Sequence, residues 1–141
     1  MNIIPSHAPI DKEAKRKKLN QHSAIKNKGS FKQIGSTKPK QLPLSKNTDP
    51  NLKKVIISRS HINIDTQKYI SELTKKHKVS TIPCGSSLKC CLVAEGIADI
   101  YPRLSPTMEW DIAAAYIICK ESKLEFKTTD NQPITFNKKI L

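Results

Sequence analysis

The sequence predicts an α/β fold in which helices cover a layered sheet. From residue 54 onward, short β-branched apolar segments alternate with segments whose apolar residues recur at helical spacing. The length of 141 residues suits a single domain. No apolar run approaches the roughly 18 residues that a membrane span requires, so we expect no transmembrane segment.

The first part of the chain has little periodic pattern. Residues 1–26 predict a basic, disordered tail or a poorly ordered helix. Gly and Pro punctuate residues 27–49, where 30–34 form the best strand candidate. The β-branched run at 54–58 predicts a buried strand, and the polar group that follows it ends in His61. Ligands of open α/β sheets usually bind at such carboxyl ends of strands.

The rest of the chain predicts alternating elements. Asn63 or Asp65 can cap a helix that runs to about His77. A strand, a helix, a strand, a loop, a helix and two final strands should follow at 79–83, 86–96, 98–101, 102–108, 111–120, 125–128 and 134–136. The small residues at 85–87 would start their helix with N–H groups that attract phosphate, whereas the start at 109–111 favours the Asp111 carboxylate.

The net charge of +13 is unevenly distributed. Residues 1–54 carry 13 Lys or Arg against 3 Asp or Glu, whereas residues 55–141 carry 12 against 9. The excess therefore lies where hydrophobic periodicity is weakest, which favours a solvated segment. Because only Phe31 adds an aromatic ring there, we do not expect nucleic-acid binding as the main role.

Several chemically active residues have structural interpretations. Cys90 and Cys91 should be small core residues and the four cysteines reduced thiols, since no CxxC pair predicts zinc. Trp110 should pack its ring in the interior. The remaining assignments are surface positions for His7, His22 and His77 and structural roles for Glu95 and Asp99.

Five motifs together resemble a known family. They are residues 58–61 (SRSH), 85–89 (GSSLK), 94–103 (AEGIADIYPR), 106–114 (PTMEWDIAA) and 136–138 (FNK). In this order they resemble the C-terminal half of the CysQ-type 3′(2′),5′-bisphosphate nucleotidases of the inositol monophosphatase superfamily. Residues 29–33 (GSFKQ) are similar to a segment upstream, so the resemblance covers about 27–141.

The resemblance implies a Mg²⁺-dependent phosphatase that converts 3′-phosphoadenosine 5′-phosphate to AMP and phosphate. His61, Ser86, Lys89 and Arg103 match positions that hold the nucleotide, and Asp111 matches a metal-ligand aspartate. From local sequence alone, Lys89 and Arg103 could be solvated charges, His61 a helix cap and Asp111 an N-cap.

One departure from the family changes the expectation. The superfamily's main metal site lies in its N-terminal half and consists of a glutamate followed later by an Asp-Pro-x-Asp-Gly-Thr motif. This sequence contains only a partial imitation of that motif at residues 48–51. We therefore assign no catalytic residue and expect a truncated or split member, with 27–141 as the C-terminal portion. Such a chain should be a poor catalyst alone and could depend on a complementary N-terminal half or on self-association.

Three classes of function remain open at this point. The first is a family phosphatase, with inositol phosphates as an alternative substrate class. The second is a noncatalytic binder of nucleotides or other anions, and the third is a nucleic-acid-associated protein. Reduced cysteines and the lack of an N-terminal apolar signal favour the cytoplasm, with peripheral association at the inner membrane left open.

Overall fold

The structure is a computed structural model that describes residues 19–60, 62–85 and 88–137. It contains five strands and three helices in the described part of the chain. The strands are β1 (Asn20–Ile25), β2 (Gly29–Ile34), β3 (Lys40–Gln41), β4 (Leu52–Ser58) and β5 (Lys78–Cys84). The helices are α1 (Ile64–Thr74), α2 (Lys89–Ala94) and α3 (Glu109–Glu121). The predicted α/β class is confirmed.

Strands β1, β2 and β3 form an antiparallel sheet in that order. The turn between β1 and β2 contains Asn27 at φ 61° and Gly29 at φ 103°, conformations that Asn and Gly tolerate best. The expected strand at 30–34 is therefore confirmed within β2. The predicted tail of residues 1–26 is too long at its carboxyl end, because residues 20–25 pair with β2. Residues 1–18 lie outside the described residues.

Strands β4 and β5 form a separate parallel sheet, joined by α1. Their register runs from Leu52 opposite Lys78 to Ser58 opposite Cys84, so both strands end at the same edge. Val55 and Ile56 in β4 are fully buried, as the β-branched run predicts. The strands thus divide between two sheets, where the alternation pattern had suggested one.

The predicted third strand at 98–101 is reduced to a single bridge between Val55 and Ile100. The carboxylate of Asp99 accepts the Lys54 N–H at 2.7 Å and ends the ladder there, a structural role as expected. The final strands predicted at 125–128 and 134–136 are likewise replaced by one bridge, Lys127 to Pro133. Because proline has no N–H, the ladder cannot extend through this position.

Helix α1 begins as the sequence predicts. The Asn63 side chain accepts the Thr66 N–H at 2.8 Å and so caps the helix, whereas Asp65 lies in the first turn. The helix ends at Thr74, slightly before the expected end near His77. Its capped end therefore lies just after the end of β4, where the candidate site is located.

A buried polar group joins the antiparallel sheet to α2. Glu95 is 2% exposed, and its carboxylate contacts His22 Nε2 and Lys32 Nζ, both at 2.7 Å. The expected structural role of Glu95 is consistent with these contacts. The surface assignment of His22 is wrong, because its side chain is 7% exposed. His7 lies outside the described residues.

The other expectations about packing give mixed results. Cys91 lies in the core with Leu42, Ala94 and Ile118, as expected. Trp110 is 73% exposed, which contradicts its predicted burial. The aromatic packing on α3 comes from Tyr116, whose ring meets those of Phe126 and Phe136 edge to face, with centroid distances of 5.6 and 5.0 Å.

None of the helices in the described ranges is long and apolar enough to cross a membrane.

Candidate functional site

The polar ends of β4 and β5 create the edge on which the site is built. Ser58 is paired with Cys84, and the Arg59 N–H donates to the Cys84 carbonyl at 3.3 Å. A methyl group at Gly85 would lie 4.0 Å from the Arg59 guanidinium carbon, so the two chain segments leave the sheet side by side. Two predicted nucleotide ligands, His61 and Ser86, follow these segments directly but lie outside the described residues.

The structure brings the other two predicted nucleotide ligands together. Lys89 and Arg103 line one open cavity of about 270 Å³. Ser58 at the end of β4 and Asn63 at the start of α1 line the same cavity. Lys89 is the first residue of α2, and Arg103 lies in the loop after the Val55–Ile100 bridge.

The charge on this cavity is positive. Within the described residues, no carboxylate forms a salt bridge with Lys89 or Arg103. The Lys89 ammonium lies 5.5 Å from the centroid of the Tyr101 ring, a cation–π contact that supports its position and leaves its charge uncompensated. Two cations beside a polar strand end are suited to bind an anion.

The charges of Lys89 and Arg103 also affect the pKa of the nearby Cys90 thiol. Its pKa is lowered chiefly by a hydrogen bond with the Cys119 side chain, against the opposing effect of burial. The charges of Arg103 and then Lys89 lower this pKa further. The positive charge of both cations therefore extends beyond the cavity to the thiol in the first turn of α2.

Asp111 lies outside the cavity that Lys89 and Arg103 line together, although Arg103 also lines the cavity that Asp111 borders. It is the third residue of α3, and its carboxylate accepts the Met108 N–H at 3.4 Å at the start of that helix. It is exposed and borders a second cavity of about 720 Å³. The loop from 101 to 104, including Arg103, lines both cavities, so the two are neighbours. The N-cap itself is Met108 rather than Asp111.

The residues around Asp111 do not by themselves fit a metal ion. Mg²⁺ is usually held by more than one oxygen ligand, with carboxylates prominent among them. Within residues 19–60, 62–85 and 88–137, no group of three or more His, Cys, Asp or Glu side chains could hold a metal. The adjacent acid, Glu109, instead accepts the Asn137 N–H at 2.9 Å. Asp111 is thus one candidate ligand that requires further ligands.

Sequence reasoning missed part of the cavity wall. Tyr101 carries the cation–π contact to Lys89, and Asn63 faces the cavity while it caps α1. Tyr101 stands beside Pro102 and Arg103 in one of the quoted motifs, so that motif could have predicted that Tyr101 belongs to the site. The contact between Cys90 and Cys119 had no local signal, because it joins two helices.

Comparisons with known proteins agree with the motif pattern. The model of the inositol monophosphatase family matches residues 7–139. The chain is 39% identical over 82 residues to the 3′(2′),5′-bisphosphate nucleotidase CysQ of Escherichia coli strain K12, covering 58% of this chain and 32% of the relative. It is 50% identical over 64 residues to the Salmonella typhimurium CysQ, covering 45% of this chain and 25% of that relative.

Solved structures support the same fold. CysQ from Bacteroides thetaiotaomicron, described as a bacterial member of the inositol monophosphatase family, superimposes with a TM-score of 0.74 at 36% identity. That match covers 86% of this chain and 50% of the Bacteroides chain. Mycobacterium tuberculosis SuhB shares the fold with a TM-score of 0.54 at 19% identity, covering 72% of this chain and 42% of SuhB.

The chain therefore spans about a third of the Escherichia coli relative and half of the Bacteroides structure. The family match begins at residue 7, well before the resemblance that the motifs define. Motif order, family model and superposition agree over most of the described residues. The chain belongs to the inositol monophosphatase family.

Proposed function

We propose that this chain supplies the nucleotide-binding part of a 3′(2′),5′-bisphosphate nucleotidase. The observation that carries the proposal is the meeting of Lys89 and Arg103 in one cavity at the end of β4. The CysQ relatives, whose names specify a bisphosphorylated nucleotide, match this chain at 39% to 50% identity. A ligand with two phosphate groups provides the negative charge that the two cations lack in the described residues.

The two cations differ in what they can contribute. Arg103 has a rigid planar fork of donors, which can contact two oxygens of one phosphate. Lys89 provides a compact charge and is positioned against Tyr101. In the sequence, His61 and Ser86 come shortly after the last residues of β4 and β5, and we assign them to the same ligand as part of this proposal.

Calorimetric titration with 3′-phosphoadenosine 5′-phosphate tests this binding role. We expect Lys89→Ala and Arg103→Ala each to weaken binding roughly tenfold to a hundredfold, because a hydrogen bond to a charged group contributes about 1.5–3 kcal/mol. Lys38→Ala is the matched control, since Lys38 is exposed and lines neither cavity. Equal weakening by the control would show nonspecific charge attraction and contradict the proposal.

Titrations with AMP and with inositol 1-phosphate sharpen the substrate class. A site for a bisphosphorylated nucleotide should bind both of these monophosphates more weakly than 3′-phosphoadenosine 5′-phosphate. Tighter binding of inositol 1-phosphate would instead favour the inositol phosphate branch of the family. Nucleic-acid binding, the third class, would be sensitive to salt and insensitive to Lys89→Ala.

The hydrolytic step needs ligands beyond the described residues. Mg²⁺, when bound, would polarise the phosphate and lower the pKa of the attacking water. Asp111 is the residue of this chain that we assign to that ion. The described residues do not complete a metal site around it, so the proposal places the other carboxylates on a complementary polypeptide.

The purified chain should therefore release no phosphate from 3′-phosphoadenosine 5′-phosphate above the level of an Asp111→Asn variant, with or without Mg²⁺. Adding the N-terminal half of the Escherichia coli CysQ should produce phosphate release only when Asp111 is intact. Robust turnover by the chain alone, lost in Asp111→Asn, would contradict the requirement for a complementary polypeptide. A colorimetric phosphate assay measures both outcomes.

A further inference from the structure

Two cysteines on different helices meet where α2 packs against α3. Cys90 is the second residue of α2, and Cys119 lies in the last turn of α3. The Cys119 thiol donates to the Cys90 carbonyl oxygen at 3.8 Å, so the two residues touch across the helix interface. Both line the cavity of about 720 Å³, and both are free thiols.

The two thiols are chemically unequal. The hydrogen bond from Cys119 and the charges of Arg103 and Lys89 lower the pKa of Cys90. The same hydrogen bond, followed by burial, raises the pKa of Cys119, which is 4% exposed. Cys90 is half-buried and borders the cavity, so a small reagent can reach it. A thiolate is the attacking species in disulfide exchange, which makes Cys90 the first to react.

The neighbouring cysteines are less suitable. Cys91 is buried, and burial raises its pKa to about 11 with a smaller contribution from Cys90. Cys84 lies at the end of β5, and its thiol donates to the Gly85 carbonyl at 3.1 Å. Cys90 and Cys119 are therefore the pair that the structure arranges for reaction with each other.

We propose that Cys90 and Cys119 form a reversible disulfide when the protein meets a small disulfide oxidant such as oxidised glutathione. The bond would join the first turn of α2 to the last turn of α3 at the wall of the larger cavity. The pair is thus a redox modification site located next to Lys89.

The reaction balances as two thiol–disulfide exchanges. The Cys90 thiolate attacks one sulfur of oxidised glutathione, whose S–S bond breaks and releases one glutathione thiolate. Capping removes the negative charge of the Cys90 thiolate, which is one cause of the raised pKa of Cys119, and Cys119 then gives its proton to solvent. Cys119 then attacks the Cys90 sulfur and displaces the second glutathione. Two protein thiols are oxidised, and one glutathione disulfide is reduced to two thiols.

Peptide mapping of the oxidised full chain tests the proposal. Trypsin cuts after Lys89, Arg103 and Lys120, which places the pair in the separate peptides 90–103 and 104–120. After treatment with oxidised glutathione, we expect the intact mass to fall by two hydrogen atoms and these peptides to be linked. Dithiothreitol should restore the original mass. Four free thiols after oxidation, or a link that joins two chains, would overturn the proposal.

Because Cys90 and Cys91 share one peptide, matched variants identify the reacting sulfur. Cys91→Ala should keep the link, whereas Cys90→Ala should lose it completely. The opposite pattern would overturn the assignment. A second measurement on the unmodified chain needs no folding control: iodoacetamide should alkylate Cys90 before Cys91, and reaction of Cys91 first would also overturn it.

One consequence rests on the proposed function. A phosphorylated nucleotide held by Lys89 and Arg103 would offset the charges that lower the pKa of Cys90, and so would slow the first exchange. If binding is shown but oxidation is unaffected, the link between ligand and thiol is wrong. If the peptides link but no nucleotide binds, the disulfide stands and the proposed function fails.

Discussion

Two polar regions of this molecule use their charges in opposite ways. Near the antiparallel sheet, Glu95 is buried between His22 and Lys32, and each charge faces a partner. Near the end of the parallel sheet, Lys89 and Arg103 line an open cavity without a carboxylate partner in the described ranges. The first region holds elements together, and the second is available to a ligand.

Replacing Glu95 is the most direct way to break the paired region. Glu95→Gln should lower the free energy of unfolding by about 3 kcal/mol, because it leaves the Lys32 ammonium near a neutral amide in a buried site. Urea denaturation measures the change.

Glu72→Gln is the matched control, since Glu72 pairs with Lys75 on the exposed surface of α1. An exposed pair of this kind contributes about 0–1 kcal/mol. If both substitutions have the same small effect, the buried group does not stabilise the fold as argued.

Gly96→Ala tests the turn that follows Glu95. Gly96 has φ +81°, and an added Cβ would lie 1.9 Å from the Ser45 carbonyl oxygen. We expect a loss of about 2 kcal/mol in unfolding free energy, from the left-handed backbone and from the clash. Gly85→Ala is the control, because its Cβ would make only an ordinary contact at 4.0 Å. Thermal melting of both variants side by side measures the difference.

The smallest effect on stability is expected at the cavity. Arg103→Ala should change the free energy of unfolding by less than about 0.5 kcal/mol, because neither cation has a carboxylate partner in the described part of the chain. Lys89→Ala also removes the contact with Tyr101 and should cost about 0.5–1 kcal/mol. The same urea denaturation experiment applies. A loss comparable to that of Glu95→Gln would show that these residues stabilise the fold, and the contrast between the two regions would then disappear.

The sequence predicts best those parts of the fold that depend on neighbours in the chain. The β-branched run of β4, the Asn63 cap and the meeting of Lys89 with Arg103 all follow local patterns or a quoted motif. Strand β1 escaped prediction because its residues, NQHSAI, are mostly polar and pair with β2 through the backbone.

Contacts between residues that are far apart in the chain could not be predicted from local sequence patterns. His22 is buried by Glu95, which lies 73 residues away. Cys90 meets Cys119 across a helix interface, and its altered pKa arises from that contact. Trp110 was assigned to the interior from the general behaviour of its ring, yet the start of α3 leaves it exposed. Each of these outcomes depends on how whole elements pack.

The exposure of Trp110 gives the molecule a built-in optical signal. It is the only tryptophan in the chain and stands beside Asp111 at the start of α3. An indole ring in water fluoresces at longer wavelengths than one in an apolar contact. Any polypeptide that covers this helix start to add ligands around Asp111 should therefore shift the emission to shorter wavelengths. Binding of such a polypeptide could then be measured by tryptophan fluorescence, before any phosphate is released.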